Sequence, residues 1–342
     1  MTVADVLLAV LLAGLTLYTL LAGADFGAGI WDLLAGGTRR GAARRELIAH
    51  SIGPVWEANH VWLILVITLF WTTFPPAFAA FASTLYIPLT LAALGIIGRG
   101  AAFAFRKASH TLVEQRLYGA TFAISSLATP FFLGTIVGAL ASGRVPAGIA
   151  EGDIWRSWLN PTSIYAGLLA IGVCAYLAAV YLIHDARRAN ADVLVAQFRR
   201  RALATGVLVG AAAVAGLAVV AADAPDLFAD LRGRALPLVL LSLAAGIVSL
   251  VLITTGRYRL VRVTAALAVA AVLWAWGAAQ YPVLLSPDLT VAEAAGDPTV
   301  LTTVLVVLGV GALLLAPSLL WLFSIFQTSR RHADTSPLKR GT

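Results

Sequence analysis

Residues 203–222 read LATGVLVGAAAVAGLAVVAA, twenty positions in a row without a charged side chain. As a helix this run is about 30 Å long, the thickness of a bilayer's hydrocarbon core. Arg199, Arg200 and Arg201 stand just before it, and Asp223 and Asp226 just after. Apolar length with charged stops at both ends is the pattern of a membrane-crossing helix. The rest of the chain repeats it.

Of the 342 residues, 60% are hydrophobic and 12% charged, and the mean hydropathy is +0.89. An ordinary soluble domain carries about 25% charged residues. A transmembrane barrel would instead show alternating segments of roughly 10 residues. The sequence therefore predicts an all-α polytopic membrane protein. Nine spans are expected, at about 5–24 (running on to 34), 52–73, 77–98, 118–140, 162–183, 203–222, 236–255, 263–282 and 300–324.

The segments between these spans sort the basic residues by side. Arg39, Arg40, Arg44 and Arg45 fall on the same side as Arg99, Arg106, Lys107 and Arg116. The runs 187–201, 257–262 and 330–340 join them, which places 20 of the 24 Lys and Arg residues together. Only Arg144, Arg156, Arg232 and Arg234 lie opposite. The positive-inside rule makes the basic side cytoplasmic. The amino terminus is then outside and the carboxyl terminus inside, which requires an odd number of spans. The net charge of +7 is thus a topology signal, and no nucleic-acid partner is expected. MTVADVLLAVLLAG (1–14) has no basic start and stays apolar past residue 20, so it is read as a retained first span.

Spacing hints at an internal duplication. GADFG (23–27) closes the first span and IHDARR (183–188) the fifth, which sets Asp25 and Asp185 at matching points. The expected organisation is two pseudo-repeated four-helix bundles plus one peripheral helix. Residues 1–160 would form the first bundle with its outer loop, 161–285 the second, and 286–342 an outer loop, the ninth helix and a basic tail. In the outer loop, Trp155 and Trp158 suit the membrane interface.

The informative residues are those that cost something in a bilayer. An acid near a helix centre costs roughly 2.5–3.5 kcal/mol, so it needs a partner or a wet cavity. Asp25 in GADFGAGIWDLL (23–34) and Glu57 in PVWEANHVWLI (54–64) are placed this way, whereas Asp32 sits nearer the cytoplasmic boundary. On one continuous helix, His50, Glu57 and His60 share a strip, with Pro54 freeing a carbonyl in the gap between them. One reading is a short proton path through Glu57, Asp25, His60 and His50. The other is that Glu57 and His60 bond each other and pin two helices together. Asn59 points off the strip towards a neighbouring helix. Trp56 and Trp62 read as packing or interface residues, and Arg99 and Arg106 as anchors at a helix end.

Redox chemistry inside this chain is poorly provided for. Cys174 and Met1 are the single residues of their types, and of five histidines only His50 and His60 are candidates for intramembrane ligands. No catalytic residue, metal ligand or cofactor-binding residue is therefore expected here. Redox cofactors would belong to another subunit.

Four segments carry a family resemblance: GADFGAGIWDLL (23–34), RRELIAHSIGPVWEANHVWLI (44–64), FPPAFAAFASTLYIPLTLAALGIIGRGAAFAFR (74–106) and LNPTSIYAGLL (159–169). They resemble subunit II of the cytochrome bd quinol oxidase family. The resemblance implies a heterodimer in the bacterial inner membrane that oxidises quinol and reduces dioxygen to water, with protons taken from the cytoplasm. Subunit I would hold two b haems and haem d, or a b-type variant of it. This chain would pack beside it, among lipid and quinone, with a small single-span accessory subunit as a further candidate partner. Glu57 matches a position where relatives carry aspartate in a hydrophilic channel, and Asp25 matches the acid of the first-helix D-x-G-x-G element. The alternative from another class is a proton-coupled secondary transporter, which should place polar residues at the midplane of both halves.

Overall fold

The computed structural model describes residues 2–37, 41–52, 56–109, 111–287 and 289–333. Its helices in chain order are α1 (Val3–Leu33), α2 (Ala42–Ile52), α3 (Trp56–Thr73), α4 (Pro75–Thr84), α5 (Tyr86–Ala108), α6 (Leu112–Ala141) and α7 (Pro161–Arg188). There follow α8 (Asp192–Asp223), α9 (Pro225–Arg232), α10 (Leu236–Thr254), α11 (Tyr258–Gln280), the four-residue α12 (Val291–Ala294) and α13 (Pro298–Ala333). A minimal antiparallel pair, β1 (Val283–Leu285) and β2 (Leu289–Thr290), sits between α11 and α12. Among the described residues eight helices are long and apolar enough to cross a membrane, or nine if a bent pair counts as one span.

That bent pair is α3 and α4, whose axes bend by 120° at the break across Phe74. Pro75 and Pro76 open α4 and cannot donate back to the carbonyls of α3. The span expected at 77–98 is therefore divided. Residues 75–84 form α4, and the long helix starts only at Tyr86. Pro88 lacks the N–H that would reach the carbonyl of Thr84, so the helix breaks at Leu85. The shift carries Arg99 from a helix end into the interior of α5, where it is 3% exposed.

Two buried apolar clusters hold the helices. One joins the second half of α1 (Tyr18, Phe26, Trp31) to α7 (Leu177, Ile183), α8 (Phe198) and α11 (Val261). The other gathers Leu7, Leu69, Phe74, Leu85, Trp158, Leu285 and Leu301 around α4 and the outer connections. Trp158 is thus part of a core, whereas Trp155 is exposed. The loop that carries them turns on Asp153, whose Oδ1 accepts from the N–H groups of Arg156 and Trp155 at 2.8 Å each. Those two donors hold the Asp153 carboxyl below the usual carboxylate range.

Small residues set the helix spacing where lipid offers no hydrophobic drive. Gly27 of α1 lies against the carbonyl of Cys174 on α7, and the Trp31 indole donates to the Ala175 carbonyl at 2.8 Å. At the other end of α7, Asp223 of α8 accepts from the backbone N–H of Thr162 (3.1 Å), from its hydroxyl (2.6 Å) and from Arg144 (2.7 and 2.8 Å). A carboxylate thereby caps the start of α7. Asp223→Ala should cost about 2 kcal/mol, read as a lower melting temperature of the detergent-extracted protein.

Candidate functional site

On α1, Tyr18, Asp25 and Asp32 recur every seven residues and so share one helix face. All three are buried. On α5, Arg99 and Arg106 have the same seven-residue spacing. The two series meet rung by rung.

The inner rung is closed on every side. Arg99 Nη1 donates to Asp25 Oδ2 at 2.6 Å and Nη2 to Oδ1 at 2.7 Å. Nη2 also reaches the Asp25 carbonyl at 2.9 Å, and Nε donates to Ser126 Oγ on α6 at 3.0 Å. The faces of the guanidinium lie over Phe26 and Phe122, 5.0 and 4.8 Å from the ring centroids. Both ionic side chains are about 5% exposed or less. Such a pair tolerates burial because the fork geometry satisfies both carboxylate oxygens at once. Tyr18 Oη lies two helical turns away, buried and without a hydrogen-bond partner among the described residues.

In the second rung Arg106 Nη1 donates to Asp32 Oδ2 at 2.9 Å, and Arg45 Nε lies 3.9 Å from Oδ1. Asp32, the acid nearer the cytoplasmic boundary, is buried and paired. The sequence pointed to each acid without naming its partner. The signal was there in the shared interval of seven residues, 25 with 32 and 99 with 106.

The proposed strip on residues 50–60 is divided by the described boundaries. His50 is exposed in the last turn of α2, whereas Glu57 and His60 belong to α3. Pro54 lies outside the described residues, as do the side chains of Trp56 and Glu57. His60 is half-buried, and Trp62 is partly buried against the inner cluster. Asn59 is 2% exposed, and its Nδ2 donates to the Leu21 carbonyl at 3.4 Å. That contact ties α3 to α1 one turn from Asp25.

Position 57 also falls on a helix face with Val61, Ile64 and Trp71. Those three residues are 59%, 62% and 63% exposed. The chain leaves this face open. Among the described residues, no group of three or more His, Cys, Asp and Glu side chains is placed to hold a metal.

The geometry is therefore a charged ladder between α1 and α5, bordered by α3, where Val61, Ile64 and Trp71 are left exposed by their own chain. Comparisons with known proteins bear on what such a chain belongs to. The family model described as cytochrome bd terminal oxidase subunit II matches residues 3–326. Cytochrome bd ubiquinol oxidase subunit 2 of Bacillus subtilis is 31% identical over 170 residues, 49% of this chain and 48% of that protein. Cytochrome bd-I ubiquinol oxidase subunit 2 of Escherichia coli is 27% identical over 185 residues, 50% of this chain and 48% of that protein. The chain thus spans about half the length of these relatives. A chain of the bd oxidase structure from Geobacillus thermodenitrificans superposes with a TM-score of 0.72 at 23% identity, over 95% of this chain and 99% of that one. At that identity the likeness is one of fold.

Proposed function

The chain belongs to the family of cytochrome bd terminal oxidase subunit II, and from that premise we propose that it is the second subunit of a quinol:oxygen oxidoreductase in a bacterial inner membrane. Quinol is the proposed electron donor and dioxygen the acceptor. Two b haems and a haem d, or a b-type variant, belong on this proposal to subunit I. That partner covers the open face of α3, with lipid and quinone around the pair and a small single-span subunit as a further partner. The orientation follows the basic residues, with the amino terminus outside and the carboxyl terminus in the cytoplasm. The two-bundle organisation, divided near residues 160 and 285, is part of the same proposal. A secondary transporter finds no support among the relatives.

One observation carries the reading of this chain's part in the reaction. By helical period position 57 falls on the side of α3 where Val61, Ile64 and Trp71 are uncovered by their own chain, and an acid within lipid is costly. A partner with a hydrated or charged surface opposite α3 removes that cost. In this proposal Glu57 accepts protons from the cytoplasmic side and passes them across the subunit boundary. His60 and the more peripheral His50 belong to the same path. Asp25 takes a different part in it. Arg99 occupies both of its carboxylate oxygens, so it flanks the path as one half of an ion pair.

Glu57→Gln keeps the size and removes the titratable proton. It should slow quinol-driven oxygen consumption by roughly tenfold or more, with assembly and haem absorption unchanged. Unchanged turnover would make Glu57 a structural residue, and loss of haem would make it an assembly residue.

A further inference from the structure

Arg187 stands in the last turn of α7, while Arg257, Tyr258, Arg259 and Leu260 form the entry to α11. Together with Gly256 they line an open cavity of about 450 Å³. Gly256 has a φ of 74°, which makes the tight turn that brings α10 back into α11. Three arginine side chains thus contribute to the lining of one space. Among the described residues none of the three has a carboxylate partner within salt-bridge distance.

Their other obligations are light. Arg187 lies over the Tyr258 ring, 5.3 Å from its centroid. Stacking uses the face of the guanidinium and leaves its N–H edge for an acceptor. The carbonyls that end α10 are already served, because Arg199 donates to those of Ile253 and Thr254 at 3.1 and 2.6 Å. The first turn of α11 has neither an acidic residue nor a side-chain cap. Its backbone N–H groups therefore add positive partial charge at the same place. The charged residues that line the cavity, Arg187, Arg257 and Arg259, are all positive, which suits an anion.

The surroundings indicate the anion's source. From the cavity into the membrane, α10 and α11 present Val251, Leu260, Val263 and Leu267, all exposed and all apolar. Basic pockets at this level between membrane helices suit phospholipid headgroups. We propose that the cavity holds the phosphate of an anionic phospholipid, whose acyl chains lie along the exposed faces of α10 and α11. The guanidinium forks bind the phosphate oxygens, and the apolar faces exclude water from the chains. Free inorganic phosphate shares the headgroup's chemistry but has nothing to place on those faces.

Native mass spectrometry of the complex released from its membrane, with phosphatidylglycerol or phosphatidylcholine added, tests this. The intact protein should bind one phosphatidylglycerol in preference to phosphatidylcholine. Arg187→Gln, Arg257→Gln and Arg259→Gln should each weaken that binding about fivefold, and the triple variant on the order of a hundredfold. Arg116→Gln, at an exposed arginine of α6, should leave it unchanged. If the triple variant fails to fold, the single Arg257→Gln variant carries the test. Equal retention of both lipids, or retention indifferent to these substitutions, would overturn the proposal. So would displacement of phosphatidylglycerol by millimolar inorganic phosphate, which would assign the cavity to the free anion.

Discussion

Arg99→Met is expected to destabilise the protein by about 3–5 kcal/mol, the cost of removing one partner from a buried ion pair. Methionine fills most of the volume between Phe26 and Phe122 but offers no donor. Asp25 would lose the guanidinium at both carboxylate oxygens and at its carbonyl, and Ser126 would lose its contact as well. Arg99→Lys should fare little better, since a single ammonium cannot span both oxygens and Ser126 together.

The decisive comparison is with the double variant Asp25→Asn, Arg99→Met. Removing both charges leaves an amide in place of an orphaned carboxylate, so most of the lost stability should return. Thermal unfolding of the extracted protein, followed by size-exclusion chromatography, measures all three variants. An Arg99→Met protein as stable as the wild type would show that the pair is dispensable. A double variant no better than the single would show that Arg99 acts mainly through its packing.

Gly27→Ala should be nearly as damaging, for a steric reason. A Cβ at this position would lie 1.8 Å from the Cys174 carbonyl oxygen and 2.3 Å from its carbon, with the Ala178 Cβ at 2.7 Å. The first two are backbone atoms of a long helix, so no side chain can swing away. α1 and α7 would have to move apart, which disturbs the Trp31–Ala175 hydrogen bond and the inner apolar cluster between them. The expected cost is about 3 kcal/mol, at the upper end for overpacking. Gly246→Ala on α10 is the control. Its added methyl meets nothing within 4 Å, so the change should be neutral or stabilising by up to about 1 kcal/mol. Equal melting temperatures for the two alanine variants would count against a close α1–α7 contact.

Most of the membrane helices were legible because twenty apolar residues between charged stops carry their own explanation. The third expected span was misplaced because hydropathy runs smoothly through residues 77–98, whereas the backbone obeys Pro75, Pro76 and Pro88. That error propagated to chemistry. With the span ending at residue 98, Arg99 read as a boundary anchor, although it is a buried partner of Asp25. Pairing depends on the relative register of α1, α5 and α6, which no single helix encodes. Trp158, which suits an interface by type, belongs instead to a core cluster that draws on residues as distant in sequence as Leu7 and Leu301. Asn59 was legible as a residue facing a neighbour, but Leu21 as that neighbour was not.

The Asp25–Arg99 pair also orders events at the ribosome. The two residues are 74 positions apart, and synthesis at 5–20 residues per second separates their emergence by about 4 to 15 seconds. Throughout that interval the first helix carries an acid whose permanent partner has not been made. Its final seat in the bilayer is therefore a late event, completed only after the fifth helix has been delivered beside it.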